Sequence, residues 1–255
     1  MARIPVGLQL YTVRQEFADD PRGTIKAIAE MGYEGVEGGP PRGMTNKEYV
    51  ALLNDHGLKL TGGGVSSAEL REDIQKVADR CGELGIDVLM TGIGGEIRQA
   101  DGNWKKVVAE LAEGCAKAAE AGLKVLYHNH AFEYEAMVDG MYGLDYIFAT
   151  IPADHIQAEL DVYWVKTGGE DPVKYIEKYA GRLPRLHIKD RAPSPDDEEC
   201  PFAEVGQGIL DWDGIFAASP EAGVEWYLVE QDRWIRPPME SARMSIDYLK
   251  SRGMV

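Results

Sequence analysis

Residues 104–133 read WKKVVAELAEGCAKAAEAGLKVLYHNHAFE. Trp104–Ala121 is a helical pattern, Gly122 stops it, and Leu123–Asn129 is an apolar run of strand length. The run ends in a cluster of polar groups, His128-Asn129-His130-Ala131-Phe132-Glu133. Helix, glycine stop, short strand and polar strand end make one unit, and working outward the unit repeats.

The same punctuation occurs at Met31-Gly32-Tyr33, His56-Gly57-Leu58, Leu84-Gly85-Ile86 and Ala222-Gly223-Val224. Glycine there is expected in the left-handed conformation that ends a helix without a Cβ penalty. Strand candidates are Ile4–Leu10, Tyr33–Glu37, Leu58–Gly62, Val88–Thr91, Leu123–Asn129, Ile156–Asp161, Leu183–Lys189 and Trp226–Glu230. Each is followed by a helix candidate; the clearest are Pro21–Met31, Glu69–Leu84, Trp104–Ala121, Asp171–Tyr179 and Pro238–Leu249. Eight such units predict a closed (β/α)8 TIM barrel of the α/β class, because right-handed crossovers put every helix outside. An open doubly wound sheet is the alternative. The length of 255 residues suits one barrel, and with no Pro/Ser-rich linker the whole chain, 1–255, reads as one domain. The densest loop is Arg191–Pro201, rich in proline and acid.

Composition narrows the function. With 27 basic against 43 acidic residues the net charge is −16, a field that repels phosphate backbones and argues against nucleic acid as partner. No apolar run approaches the roughly 20 residues of a membrane span or resembles a signal peptide, so no membrane partner is expected. Cys81, Cys115 and Cys200 cannot all pair with one another, which points to a reducing, cytoplasmic setting.

In a barrel of this kind the reactive groups come from the C-terminal ends of different strands. Those ends carry Gln9, Glu37, His128, His130, Glu133, Asp161, His187, Lys189, Asp190, Glu230 and Asp232, whereas strands three and four end in Gly62–Gly64 and Gly92–Gly95, expected to leave room at the mouth. Carboxylates brought together repel unless a cation neutralises them. Two or three carboxylates with a neutral imidazole form a ligand set for one divalent ion such as Mn2+, Mg2+, Co2+ or Zn2+. The expected set is Glu133, Asp161, His187 and Glu230. Gln9, Glu37, His128, His130, Trp164 and Lys189 are expected around a small sugar or keto-sugar.

Five stretches taken in order, Gly7–Arg14 (GLQLYTVR), Tyr127–Tyr134 (YHNHAFEY), Leu160–Trp164 (LDVYW), Leu186–Asp190 (LHIKD) and Val229–Asp232 (VEQD), resemble the sugar phosphate isomerase/epimerase family of the xylose-isomerase-like barrel superfamily. The resemblance spans about residues 4–250. It implies a divalent metal held by Glu, Asp, His and Glu from strands five to eight, with Asp161, His187 and Glu230 on the last three positions. Ketose epimerases of the superfamily carry a glutamate directly at the end of strand five, where this chain has His128. The role is therefore carried to Glu133, with His128 or His130 as the alternative.

Plainer roles stand beside these. Asp161 would also serve to cap the next helix or pair with Lys189, His187 to fill the core, Glu230 to pair with Arg233 or Arg236, and Trp164 simply to pack. The leading functional expectation is isomerisation or epimerisation. A proton is taken from a carbon next to a carbonyl, the metal stabilises the enediolate, and Glu230 with Glu133, His128 or His130 serves as acid and base. A lyase or dehydratase acting by β-elimination on a 3-keto-glycoside or inosose is the alternative, since a neutral imidazole suits a base near pH 7. Metal-assisted hydrolysis, as in the DNA-repair endonucleases of the superfamily, is disfavoured by the acidic surface. A non-catalytic sugar-binding barrel is the remaining reading. Homo-oligomers are common among such barrels, with Trp226–Arg236 or the acidic loop as candidate interfaces.

Overall fold

The computed structural model describes residues 3–193 and 200–255; residues 194–199 of the acidic loop lie outside the described residues. Among the described residues eight parallel strands close on themselves: β1 (Val6–Gln9), β2 (Gly35–Glu37), β3 (Lys59–Gly64), β4 (Val88–Thr91), β5 (Lys124–His128), β6 (Gln157–Asp161), β7 (Arg185–Ile188) and β8 (Trp226–Val229). The main helices outside them are α1 (Pro21–Met31), α2 (Asn46–Asp55), α3 (Ile74–Leu84), α4 (Trp104–Glu120), α5 (Gly143–Thr150), α6 (Pro172–Lys178), α7 (Trp212–Ala222) and α8 (Pro238–Ser251). Each expected strand falls on an observed one, and the doubly wound alternative is excluded by the β1–β8 pairing that closes the sheet. No described helix is long and apolar enough to cross a membrane.

Local chemistry explains the boundaries. The five junction glycines, Gly32, Gly57, Gly85, Gly122 and Gly223, all have positive φ, as the reversal from helix to strand requires. Side-chain oxygens of Asp20, Thr45, Asn103, Asp171 and Asp211 accept backbone N–H groups at the starts of α1, α2, α4, α6 and α7. The helix expected over Glu69–Leu84 is instead two pieces, Ser67–Glu72 and α3, broken at Asp73. Lys117 of α4 donates to the carbonyl of Arg71, which satisfies the end of the first piece and ties it to α4.

The apolar core fills the space between strands and helices, with Leu8, Val36, Leu160, Leu186, Ile188 and Val229 turned outward from the barrel wall and fully covered. The alternate positions point inward, and there the barrel is polar. Parallel pairing sets Gln9 beside Glu37, Glu159 beside Arg185, Asp161 beside His187 and His187 beside Leu228. Strand β3 carries one extra residue, Thr61, between the positions paired to Val36 and Glu37. This bulge brings Gly62 opposite Glu37 and leaves the Thr61 carbonyl free to accept from the Arg185 guanidinium.

After β7 the chain makes a short ribbon, Asp190–Arg191 with Phe202–Ala203, before α7. The buried Asp190 carboxylate holds this excursion. It accepts the backbone N–H groups of Arg191, Gly206, Gly208 and Leu210 at 2.8–3.1 Å and the Trp212 indole N–H at 2.6 Å. Asp190→Asn would turn an amide N–H2 toward two or more of these donors, so it is expected to destabilise the protein by about 3 kcal/mol in urea unfolding, with Asp190→Ala at least as costly. A loss below about 1 kcal/mol would show that the excursion is held by other contacts.

Candidate metal centre

The strand ends deliver four donors to one place. His128 ends β5, Asp161 ends β6, His187 lies in β7 and Glu230 follows β8; their ligand atoms lie within 4.8 Å of one another and all four residues are buried. His128 Nε2 is 3.1 Å from Asp161 Oδ2 and 3.9 Å from Glu230 Oε2, and His187 Nδ1 is 3.0 Å from Glu230 Oε2. Asp161 also performs both of its plainer roles: Oδ1 accepts the Trp164 N–H at 3.1 Å and so caps the helix Val162–Thr167, while Oδ2 is 2.9 Å from Lys189 Nζ. Glu230 pairs with Lys189 at 2.6 Å rather than with Arg233 or Arg236, and Arg236 is engaged by Glu204.

Glu133 is not part of this group. Its carboxylate is buried in the turn Phe132–Glu135, where Oε1 accepts from the Tyr127 hydroxyl at 2.9 Å and Oε2 from the His130 N–H at 2.8 Å. The reason is strand alternation: Tyr127 faces the helical layer, edge-on to Phe148, and Glu133 joins it there. The donor that β5 sends inward is His128. His130 sits partly exposed at the rim, its ring 5.0 Å from that of His128 and 5.4 Å from that of Trp164. Trp164 packs edge-on to Tyr163 and Phe202 and forms part of the same rim.

Gln9 and Glu37 lie below the mouth. Glu37 is fully buried, with Oε2 2.8 Å from Gln9 Nε2 and 2.9 Å from His187 Nε2, and Oε1 2.6 Å from Arg185 Nη1. Its visible work is to orient His187, whose Nε2 it faces while Nδ1 faces Glu230. Glu159 and Arg185 are not among the strand-end groups the sequence offers, and Asp232 is among them without an assigned role. A signal existed for the first two: residues two apart on a strand share a face, so Glu159 lies beneath Asp161 and Arg185 beneath His187. The room expected beside Gly62 is filled by the Arg185 guanidinium, and the Phe132 ring lies against Gly94.

Electrostatics follow from this packing. Burial alone would raise Asp161 and Glu230, but the Lys189 ammonium beside both, with His128 beside Asp161 and His187 beside Glu230, brings Asp161 below its usual range and Glu230 well below it. Burial would lower Lys189, yet Asp161, Glu230 and Asp232 around it keep it firmly protonated. Burial likewise opposes charge on His187, and the carboxylates of Glu159 and Glu230 override it, raising its pKa well above the ordinary value. His130 is pushed down to about 4 by burial and by neighbouring His128, so it is neutral at pH 7. The site holds five carboxylates (Glu37, Glu159, Asp161, Glu230, Asp232) against two permanent cations (Arg185, Lys189). That excess of negative charge also holds a proton on His187 while no ion is bound; an ion taking that proton's place would meet two imidazoles and two carboxylates, a set that fits a divalent ion of borderline softness.

A family model described as xylose isomerase-like TIM barrel matches residues 25–252. An inosose dehydratase of Geobacillus kaustophilus is 24% identical over 264 residues, covering 88% of this chain and 85% of its own. Another, of Lacticaseibacillus casei, is 26% identical over 165 residues, and the chain spans about half of that relative's length (54%). Among solved structures, a sugar phosphate isomerase/epimerase of Parabacteroides distasonis superposes with a TM-score of 0.82 at 25% identity, covering 100% of this chain and 96% of that one.

Burial raises Glu133 from 4.5 to about 7. Because folding raises this pKa, the native state holds the extra proton between those values; the stability linked to it is complete below pH 4.5 and is lost as the pH rises through 7. Glu133→Gln removes the titration. Its stability relative to the parent is therefore expected to improve by on the order of 2 kcal/mol between pH 5 and pH 8. A difference that stays flat or moves the other way in paired denaturation curves contradicts this assignment.

Proposed function

We propose, from the premise that this chain belongs to the xylose isomerase-like TIM barrel family, that it is a divalent-metal-dependent dehydratase acting on an inosose-like cyclic keto-polyol. The observation that carries the reading is the convergence of His128, Asp161, His187 and Glu230 on one point with the protonated Lys189 against two of them. From sequence the isomerase came first and the lyase second; the names of the relatives reverse that order. Isomerisation or epimerisation is the second reading, favoured by the Parabacteroides distasonis structure.

When bound by His128, Asp161, His187 and Glu230, the ion would supply Lewis-acid polarisation of a substrate carbonyl. The chain's own groups supply the proton traffic. The C–H bond next to the carbonyl breaks, its proton passes to a base, and the electron pair forms a C=C bond as the C–O bond at the neighbouring carbon breaks. The departing hydroxyl takes one proton and leaves as water. His130, neutral at pH 7 and partly open at the rim, has a lone pair free to take the first proton, although its lowered pKa makes it a weak base. Lys189 holds a proton at Nζ and would hand one over once the N–H groups that now face Asp161 and Glu230 are released; Asp232, 2.7 Å away, keeps it charged. Trp164 and Phe202 give the rim an apolar face on which a ring can lie. Glu133 holds the His130 backbone in place and takes no part in proton transfer.

The test is scyllo-inosose with Mn2+ in D2O, followed by NMR and mass spectrometry. Loss of one water, abolished by EDTA and restored by Mn2+, is expected; deuterium uptake or epimer formation without loss of water would establish the second reading instead. Lys189→Met is expected to lower kcat for elimination by about 10²–10⁴-fold. An unchanged kcat would remove Lys189 from the proton path.

A further inference from the structure

We propose that Arg185 is a built-in cation standing where a second divalent ion would otherwise bind, directly beneath the candidate metal centre, so that the chain takes up one ion and not two. Glu37, Glu159 and His187 form a second convergent group, with ligand atoms within 4.8 Å of one another and all three side chains fully buried. His187 Nε2 lies 2.9 Å from Glu37 and 3.0 Å from Glu159, and one N–H cannot serve two carboxylates. Neither Glu159 oxygen makes a well-formed hydrogen bond, so this buried carboxylate is held by charge alone.

The charge is supplied by the guanidinium. Arg185 Nη1 is 2.6 Å from Glu37 Oε1 and 3.5 Å from Glu159 Oε2, and Nη2 donates to the Thr61 carbonyl that the β3 bulge exposes. Three features of the fold make the space. Pairing of β6 with β7 sets Glu159 beside Arg185, the bulge brings Gly62 opposite Glu37, and a Cβ on Gly62 would lie 2.6 Å from Nη1. A monovalent, many-donor cation thus offsets part of the charge of a ligand set whose donor types suit a divalent ion. Truncating Arg185 would leave the buried Glu37 and Glu159 carboxylates around the volume of a guanidinium, which uptake of a divalent ion with water resolves; His187 has one lone pair, so while Nδ1 serves the upper ion Nε2 keeps its proton toward Glu37.

The count of one for the parent rests on the metal reading above; the change on truncation does not. The experiment is Mn2+ loading, desalting and elemental analysis of the parent, Arg185→Ala and Arg185→Lys, with EPR of each. Arg185→Ala is expected to hold one more Mn2+ per chain than the parent and, at two ions, to show a spectrum broadened by dipolar coupling. Arg185→Lys is expected to match the parent. A parent without Mn2+ sinks the upper site, and one ion gained by Arg185→Ala from that baseline still supports the proposal. Two ions in the parent, or no gain in a folded Arg185→Ala, overturns it. Should Arg185→Ala fail to fold, refolding with Mn2+ decides: recovery with the extra ion supports the proposal, and no recovery, or recovery without it, refutes it.

Discussion

Like charge gathered in a low-dielectric interior must be compensated, and the inside of this barrel is organised by that requirement. Glu37, Glu159, Asp161, Glu230 and Asp232 all reach it from the strands or the turns that follow them. The compensation comes in two layers. Arg185 serves Glu37 and Glu159 below, and Lys189 serves Asp161, Glu230 and Asp232 above. His187 joins the layers, with Nε2 facing down and Nδ1 facing up. Removing Arg185 or Lys189 would leave buried carboxylates uncovered, which generally costs about 3–5 kcal/mol.

Carboxylates outnumber permanent cations three to one in the upper layer and two to one in the lower, so the larger negative excess lies at the mouth. His128, Asp161, His187 and Glu230 bring their ligand atoms within 4.8 Å of one another there, a set that could hold a metal ion. Around it stand groups of opposite proton habit: His130, neutral because burial and His128 depress its pKa, and Lys189, charged because three carboxylates surround it. A base and an acid kept distinct at one pH are what elimination next to a carbonyl requires. Trp164, backed by the buried Phe202, adds an aromatic edge to this rim.

The barrel was legible because its units repeat. Gly122 and four companions each mark a helix end, and the runs between them have strand length, so spacing alone gave eight units and their order. The convergence was legible where strand ends speak for themselves, at Asp161, His187 and Glu230. At β5 the first expectation, Glu133, lies past the strand in a turn whose Tyr127 and His130 donors claim it, and the alternative, His128, joins the group. The inward phase of β5 belongs to His128, which alternation from Tyr127 indicates. Glu159 and Arg185 lie one inward position short of the strand ends, and the period of two places them beneath Asp161 and His187. The break at Asp73 had no such signal, since it depends on the Lys117–Arg71 contact between distant parts of the chain.

The account stands on four side chains from four strands sharing one cation. Crystals of the Mn2+-loaded protein, measured at the manganese edge, test this directly. The account predicts an anomalous peak bounded by His128 Nε2, Asp161 Oδ2, His187 Nδ1 and Glu230 Oε2 at about 2.0–2.3 Å. A peak elsewhere, or none at full Mn2+, would contradict it.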